Sequence, residues 1–160
     1  MSTSLTSDQA AKKACELYKR GNKCDKATLK VMQEVLTLLE EDLWLSYVIF
    51  ENLKNQGCPR ICNALLAGAA VIYTDIINKA KSKGDISIKE VQQAYPQRAT
   101  ALFNAFKEKF GNLDCPSLLG FDLDKYDDYP REKQDYIGSG VWMEKCCECM
   151  AFVINKLYEN

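Results

Sequence analysis

Apolar positions recur at spacings of three and four along nearly the whole chain, and no run of four or more residues alternates convincingly, so the pattern predicts helices and no strands. Ser7 can cap a first helix from about Asp8 to Lys19, with Ala11, Ala14, Cys15 and Tyr18 on one stripe and Gly21 as its terminator. Cys24 follows in a short turn. Asp25 can then cap a helix from Lys26 with Leu29, Met32, Leu36 and Leu39 inward. Glu40, Glu41 and Asp42 interrupt that stripe, which predicts a break there and a separate helix Leu43 to Asn55 capped by Asp42. Gly57 closes this unit, and Pro59 suits the first position of a new helix, capped by Cys58 and running to about Lys83 through Ile61, Leu65, Ala69, Ile72 and Ile76. Ser87 and Glu90 make a capping box for a short helix ending before Pro96. An amphipathic helix follows from Pro96 to Phe110, then a one-turn helix Cys115 to Leu119 capped by Asp114. Phe121 to Tyr136 is acidic and reads as an irregular loop, and the last helix spans about Val141 to Tyr158. The expected fold is all-α: a single-domain antiparallel helical bundle of about five to six helices over residues 1–160.

Composition narrows the chemistry. Of 160 residues, 47% are hydrophobic and 27% charged, enough apolar material for a core and too little imbalance for disorder. A net charge of −1 argues against a nucleic-acid binder. There are eight cysteines and no histidine, which excludes Ser-His-Asp and Cys-His catalysis, HExxH metalloproteases, Cys/His zinc fingers and the CxxCH haem attachment. No phosphate loop or paired catalytic carboxylates stand out, so no enzymatic activity is assigned. The first twenty residues lack a signal-peptide pattern, and the longest nearly apolar run, Ile61 to Tyr73, is too short to span a bilayer. These features lead us to expect a cytoplasmic protein without membrane insertion, with thiols that stay reduced. Asp122, Asp124, Asp127 and Asp128 lack the glycine and closing glutamate of a calcium loop and read as a solvated segment. Trp44, Tyr47 and Phe50 share helical spacing and read as core, and Trp142 and Met143 as packing beside the final cysteines.

The cysteines stand at 15, 24, 58, 62, 115, 146, 147 and 149. Cys24, Cys58 and Cys115 fall at predicted helix starts and Cys62 one turn inside, where unpaired N–H groups and the helix dipole favour a thiolate or an anionic metal–thiolate centre. Cys58 and Cys62 (i, i+4) and Cys146 and Cys149 (i, i+3) each share one helical face, and either pair could serve a thiol–disulfide switch or oxidoreductase. The C-x-x-C of 146–149 lacks the βαβ context of a thioredoxin-like motif. In an antiparallel bundle, alternate connections lie at the same end. With the 26–55 segment broken near Asp42, Cys24, Cys62, Cys115 and Cys146 all converge at one end. With it unbroken, Cys24 is stranded at the other. Four thiolates suit an iron–sulfur centre or a structural zinc, and ligands scattered over so much chain disfavour zinc.

Several segments resemble a family of redox-active proteins named for the cysteine pattern C…CGAxxG…C…C. ACELYKRGNKCDKATL (14–29) is similar to the family's opening helix, Gly-Asn turn and first cysteine, Cys24. FKEKFGNLDCPSLLG (106–120) is the closest match and supplies the third, Cys115. The CGAxxG element corresponds to Cys62-Asn63-Ala64-Leu65-Leu66-Ala67, with Asn63 and Ala67 where the family has glycine. Family members follow the fourth cysteine with apolar residues at about +4, +7, +8 and +11. Met150, Val153, Ile154 and Leu157 satisfy this from Cys146, with Cys147 a second choice. The resemblance implies a redox role, a metal centre on Cys24, Cys62, Cys115 and Cys146, and an iron–sulfur cluster as cofactor. The expected protein is thus a small electron-transfer type with a redox partner protein. Two alternatives stand beside it, the thiol–disulfide switch and a helical interaction module with packing cysteines. Tyr126, Tyr129 and Tyr136 either cover the cysteine end or form a homodimer contact.

Overall fold

A computed structural model describes residues 5–55, 60–82, 84 and 88–159, with backbone alone over 49–55 and at 88. Among these, eight α-helices and one 3-10 segment form the chain, and no strand is present beyond a single isolated bridge. The α-helices are α1 Ser7–Lys19, α2 Cys24–Leu36, α3 Glu40–Asn55, α4 Asn63–Ser82, α5 Ile88–Phe110, α6 Cys115–Leu119, α7 Arg131–Gly138 and α8 Met143–Tyr158; the 3-10 segment is Leu123–Asp128. The fold is all-α, with more helices than the five or six expected.

α4 is apolar on nearly every side, and a helix of that kind belongs in the middle of a bundle. It packs against α2, α3, α5 and α8, and its buried residues run almost without interruption from Ala64 to Ile72. α1 closes the bundle against α2 and α8. Directions follow from the pairs that meet. Ser46 opposite Thr74 and Asp42 opposite Lys81 make α3 and α4 antiparallel. Asp75 beside Arg98, 3.0 Å apart, together with Gly68 beside Leu102, does the same for α4 and α5. Leu5 meets Tyr158 while Lys19 meets Glu144, so α1 and α8 are antiparallel too. Phe106, Leu29, Met32, Leu65, Ile72, Met150 and Ile154 are fully buried at the centre, each stabilising the fold by roughly 1.5–3 kcal/mol.

Small residues let α4 and α8 approach closely. A Cβ on Gly68 would lie 2.6 Å from Val153 Cγ1 and 3.0 Å from Leu102 Cδ2, so α8 and α5 both crowd the space a side chain would take. Two buried hydroxyls between α3 and α4 are satisfied locally: the Thr74 hydroxyl is 2.9 Å from the Ala70 carbonyl and 3.0 Å from Ser46 Oγ, and Ser46 donates to Asp42 O.

Several boundaries differ from the pattern-based expectation, each for a local reason. Thr6, not Ser7, caps α1, because Thr6 and Gln9 bond reciprocally in a capping box. α2 begins at Cys24, and Asp25 lies inside its first turn. There Asp25 is buried, accepting the Lys26 N–H at 2.7 Å and the Tyr47 hydroxyl, rather than capping. The break between α2 and α3 is real but falls at Thr37, which adopts φ 52°, and α3 starts at Glu40 with Asp42 paired to Lys81. That reversal turns Leu38 inward and leaves Leu39 66% exposed. Pro96 does not end a helix. α5 runs through it, held to α4 on both sides by Tyr95 against Tyr73 and by Arg98 on Asp75, so packing outweighs the loss of one backbone hydrogen bond. The acidic segment folds into the 3-10 turn and α7, because Arg60 bridges Asp122 and Asp124 and Asp122 caps the turn. Tyr47 is buried edge-on to Trp44, and Trp142 donates to the Ile137 carbonyl at 2.8 Å. The expectations for Gly57, Cys58, Pro59, Lys83, Ser87 and the Phe50 side chain lie outside the described residues.

Candidate metal centre

Each of the four expected cysteines sits where a helix begins. Cys24 opens α2, directly after the short turn closed by Gly21. Cys62 precedes α4, its carbonyl accepting the Leu66 N–H at 3.1 Å in the N-cap position, rather than lying a turn inside a helix from Pro59. Cys115 opens α6 behind Asp114, whose carboxylate accepts the Ser117 N–H at 2.9 Å. Hydrogen bonds to Ser117 hold the Asp114 carboxyl below its ordinary pKa. Cys146 lies in the first turn of α8.

A short backbone clasp joins two of them. Ile61 and Asp114 form an isolated antiparallel bridge, with Cys62 N–H on Leu113 O at 2.8 Å and Cys115 N–H on Arg60 O at 2.9 Å. This extended stretch replaces the helical turn that the Pro59 signal suggests, and it sets Cys62 and Cys115 on either side of one bridge.

Cys62, Cys115 and Cys146 all lie close enough to Cys24 to raise its pKa, so the four sulfurs share one neighbourhood. Burial holds the Cys24 thiol well above its ordinary pKa, and Cys62, Cys146, Asp25 and Cys115 push the same way. Burial likewise raises Cys146, which also feels Cys62; the hydrogen bond from Tyr18 acts in the opposite direction. Tyr18 reaches in from α1, its own pKa raised by burial and by the bond to Cys146, with Cys24 and Cys115 adding to the shift. A fifth thiol belongs to the group. Cys149, 2% exposed, is hydrogen-bonded to Cys62, and this contact, followed by burial, raises its pKa strongly. Helix N-termini favour thiolates, but at Cys24, Cys146 and Cys149 desolvation and mutual repulsion win, so these three thiols keep their protons at neutral pH and a cation bound to them must displace those protons.

The remaining two described cysteines behave differently. Cys15 on α1 and Cys147 on α8 form a disulfide with Cα atoms 5.0 Å apart, against the expectation that every thiol stays reduced. Of the i, i+3 pair, Cys146 is hydrogen-bonded to Tyr18 and Cys149 to Cys62, and Cys146 also acts on Cys149. Cys58 lies outside the described residues. Outside the pocket, Cys115 also lines a surface cavity of about 350 Å³ with Arg60, Asn63, Phe121, Asp122 and Asp124.

The donor set fits a soft metal centre: sulfur atoms, no imidazole, and burial. A mononuclear tetrahedral zinc, with Zn–S about 2.3 Å, needs sulfurs about 3.8 Å apart. Among the described residues, the one group of three potential ligand atoms within 4.8 Å of one another is Cys15, Glu144 and Cys147, and two of those are joined in the disulfide. No three of the Cys24, Cys62, Cys115 and Cys146 sulfurs therefore lie within 4.8 Å of one another, which is wider than a single zinc requires.

Sequence reasoning placed Tyr18 on a core stripe and Cys149 in a switch pair with Cys146 rather than beside Cys62, and it missed the disulfide. Tyr18 and Cys149 carry the apolar stripes of α1 and α8, and nothing in their spacing separates a pocket wall from core. Among the described residues, no helix is long and apolar enough to cross a membrane. No family model, no curated protein and no solved structure matches this chain.

Proposed function

We propose that this chain is a small redox protein that holds an iron–sulfur centre through Cys24, Cys62, Cys115 and Cys146. One observation carries the reading: the Ile61–Asp114 bridge holds the Cys62 and Cys115 segments side by side, and Cys24, at the start of α2, lies close enough to Cys62, Cys115 and Cys146 to feel all three. Their order along the chain also fits the C…CGAxxG…C…C resemblance. Such a centre supplies one-electron chemistry when bound. The chain's own residues do the rest: the clasp at Ile61 and Asp114 sets two ligands, Tyr18 orients Cys146 by hydrogen bonding, and the burial of Cys62 and Cys149 keeps water from the pocket.

Anaerobic purification tests this. Brown protein with iron and acid-labile sulfide, lost when Cys24, Cys62, Cys115 or Cys146 is changed to Ser, is the expected result. Colourless, iron-free protein from iron-replete anaerobic cells refutes it. A second reading, a thiol–disulfide protein, is favoured by the disulfide and by the Cys62–Cys149 contact. It expects colourless protein whose thiol count changes reversibly with oxidant. Inert thiols without metal leave the packing role, that of an interaction module.

A further inference from the structure

The Cys15–Cys147 disulfide has a third neighbour. Glu144 precedes Cys147 by three residues on α8, so both side chains share one face. A carboxylate oxygen of Glu144 lies within 4.8 Å of both sulfurs. The trio forms a cup with a closed floor and an open mouth: Cys147 is buried, Cys15 half-buried and Glu144 exposed. Lys19, from the last turn of α1, bonds the same carboxylate at 2.5 Å. The cup is separate from the pocket of Cys24, Cys62, Cys115 and Cys146, because consecutive residues of a helix point about 100° apart and Cys146 faces Tyr18.

While the bond stands, neither sulfur is a thiolate and the trio ligates nothing. A dithiol reductant changes that. Its two electrons break the S–S bond, its two protons pass to Cys15 and Cys147, and it leaves as its own disulfide. Two thiols and one carboxylate from two helices then surround one point. We propose that reduction of Cys15–Cys147 opens a second metal site, with Cys15, Cys147 and Glu144 as ligands for a thiophilic divalent cation of the zinc class. Binding replaces the two thiol protons with two metal–sulfur bonds and releases the protons to solvent, leaving a fourth position for water. Two thiolates and a carboxylate against a divalent cation leave one net negative charge, and Lys19 stands beside it as the counter-ion. The join between α1 and α8 is thus made covalently in the oxidised state and by the cation in the reduced one.

The test uses the full chain, reduced with a dithiol that is then removed anaerobically, and Zn²⁺ as the probe. Alkylation of each cysteine is followed by peptide mass mapping, with circular dichroism confirming the fold. Zn²⁺ is expected to slow alkylation of Cys15 and Cys147 at least tenfold, and the oxidised protein to bind one equivalent fewer than the reduced. Cys15→Ser should remove the protection of Cys147. Glu144→Gln, at an exposed position that leaves folding intact, should weaken it by about tenfold or more. Equal alkylation of Cys15 and Cys147 with and without Zn²⁺ in folded, reduced protein overturns the proposal, as does wild-type protection in Glu144→Gln.

Discussion

Gly68→Ala pits helix propensity against packing in the middle of the molecule. Alanine in a helix interior is favoured over glycine by about 1 kcal/mol, so propensity alone expects a more stable protein. The new Cβ, however, would sit 2.6 Å from Val153 Cγ1 and 3.0 Å from Leu102 Cδ2. Leu102 can yield by rotating its tip, whereas a helical valine is held to one χ1 well, so α8 itself must give way. Overpacking of this kind costs roughly 1–3 kcal/mol, and the net effect is a loss of up to about 2 kcal/mol. Val153→Ala removes the obstructing methyl. The double variant should therefore recover about 1–2 kcal/mol over the sum of the single changes. Urea unfolding of the four proteins, all with the Cys15–Cys147 disulfide intact, gives the coupling directly. The same displacement shifts α4, behind Cys62, against α8, which carries Cys146 and Cys149, so alkylation of Cys149 should quicken in Gly68→Ala. A stabilised Gly68→Ala, with a coupling below about 0.3 kcal/mol, refutes the close α4–α8 approach.

Other outcomes follow from the pocket. Tyr18→Phe removes the hydrogen bond that lowers the Cys146 pKa, so Cys146 should alkylate more slowly at pH 8, and an unchanged rate counts against that contact. The metal-free protein should lose stability in alkali. Cys24, Cys146 and Cys149 have raised folded-state values, so above about pH 8.5 the unfolded chain ionises while the fold keeps its protons; each such group can remove up to about 1.4 kcal/mol per pH unit, read from urea midpoints between pH 8 and 10. Asp114→Ala should cost about 1 kcal/mol by uncapping α6 and should expose Cys115 to alkylation. Because the Asp114 pKa is lowered in the fold, its contribution is present above the ordinary carboxylate range and fades as pH falls through the lowered value, so wild type and variant should converge in acid.

What could be read from the residues is what local chemistry decides. Glycines at 21 and 111 and the Asp114 cap place Cys24 and Cys115 at helix starts, and the expected break before α3 is present, at Thr37 rather than at the acidic residues 40–42. What escaped depends on partners distant in sequence. The Ile61–Asp114 bridge exists because two segments meet, and neither segment alternates long enough to announce a strand. Pro96 is a strong local stop, overruled by tertiary contacts at Tyr95 and Arg98. One left-handed residue, Thr37, exchanges Leu38 for Leu39 in the core, a swap that no periodicity reveals. The Cys15–Cys147 bond closes 132 residues and has no signature shorter than the fold.

The clasp between residues 60–62 and 113–115 has an electronic corollary. Main-chain amides that point at thiolate ligands share their negative charge and ease the acceptance of an electron. Here the amide of Cys62 is engaged by Leu113, that of Cys115 by Arg60, and that of Lys26, two residues past Cys24, by Asp25. These three amides are occupied with holding the backbone together and are not free to point at a sulfur.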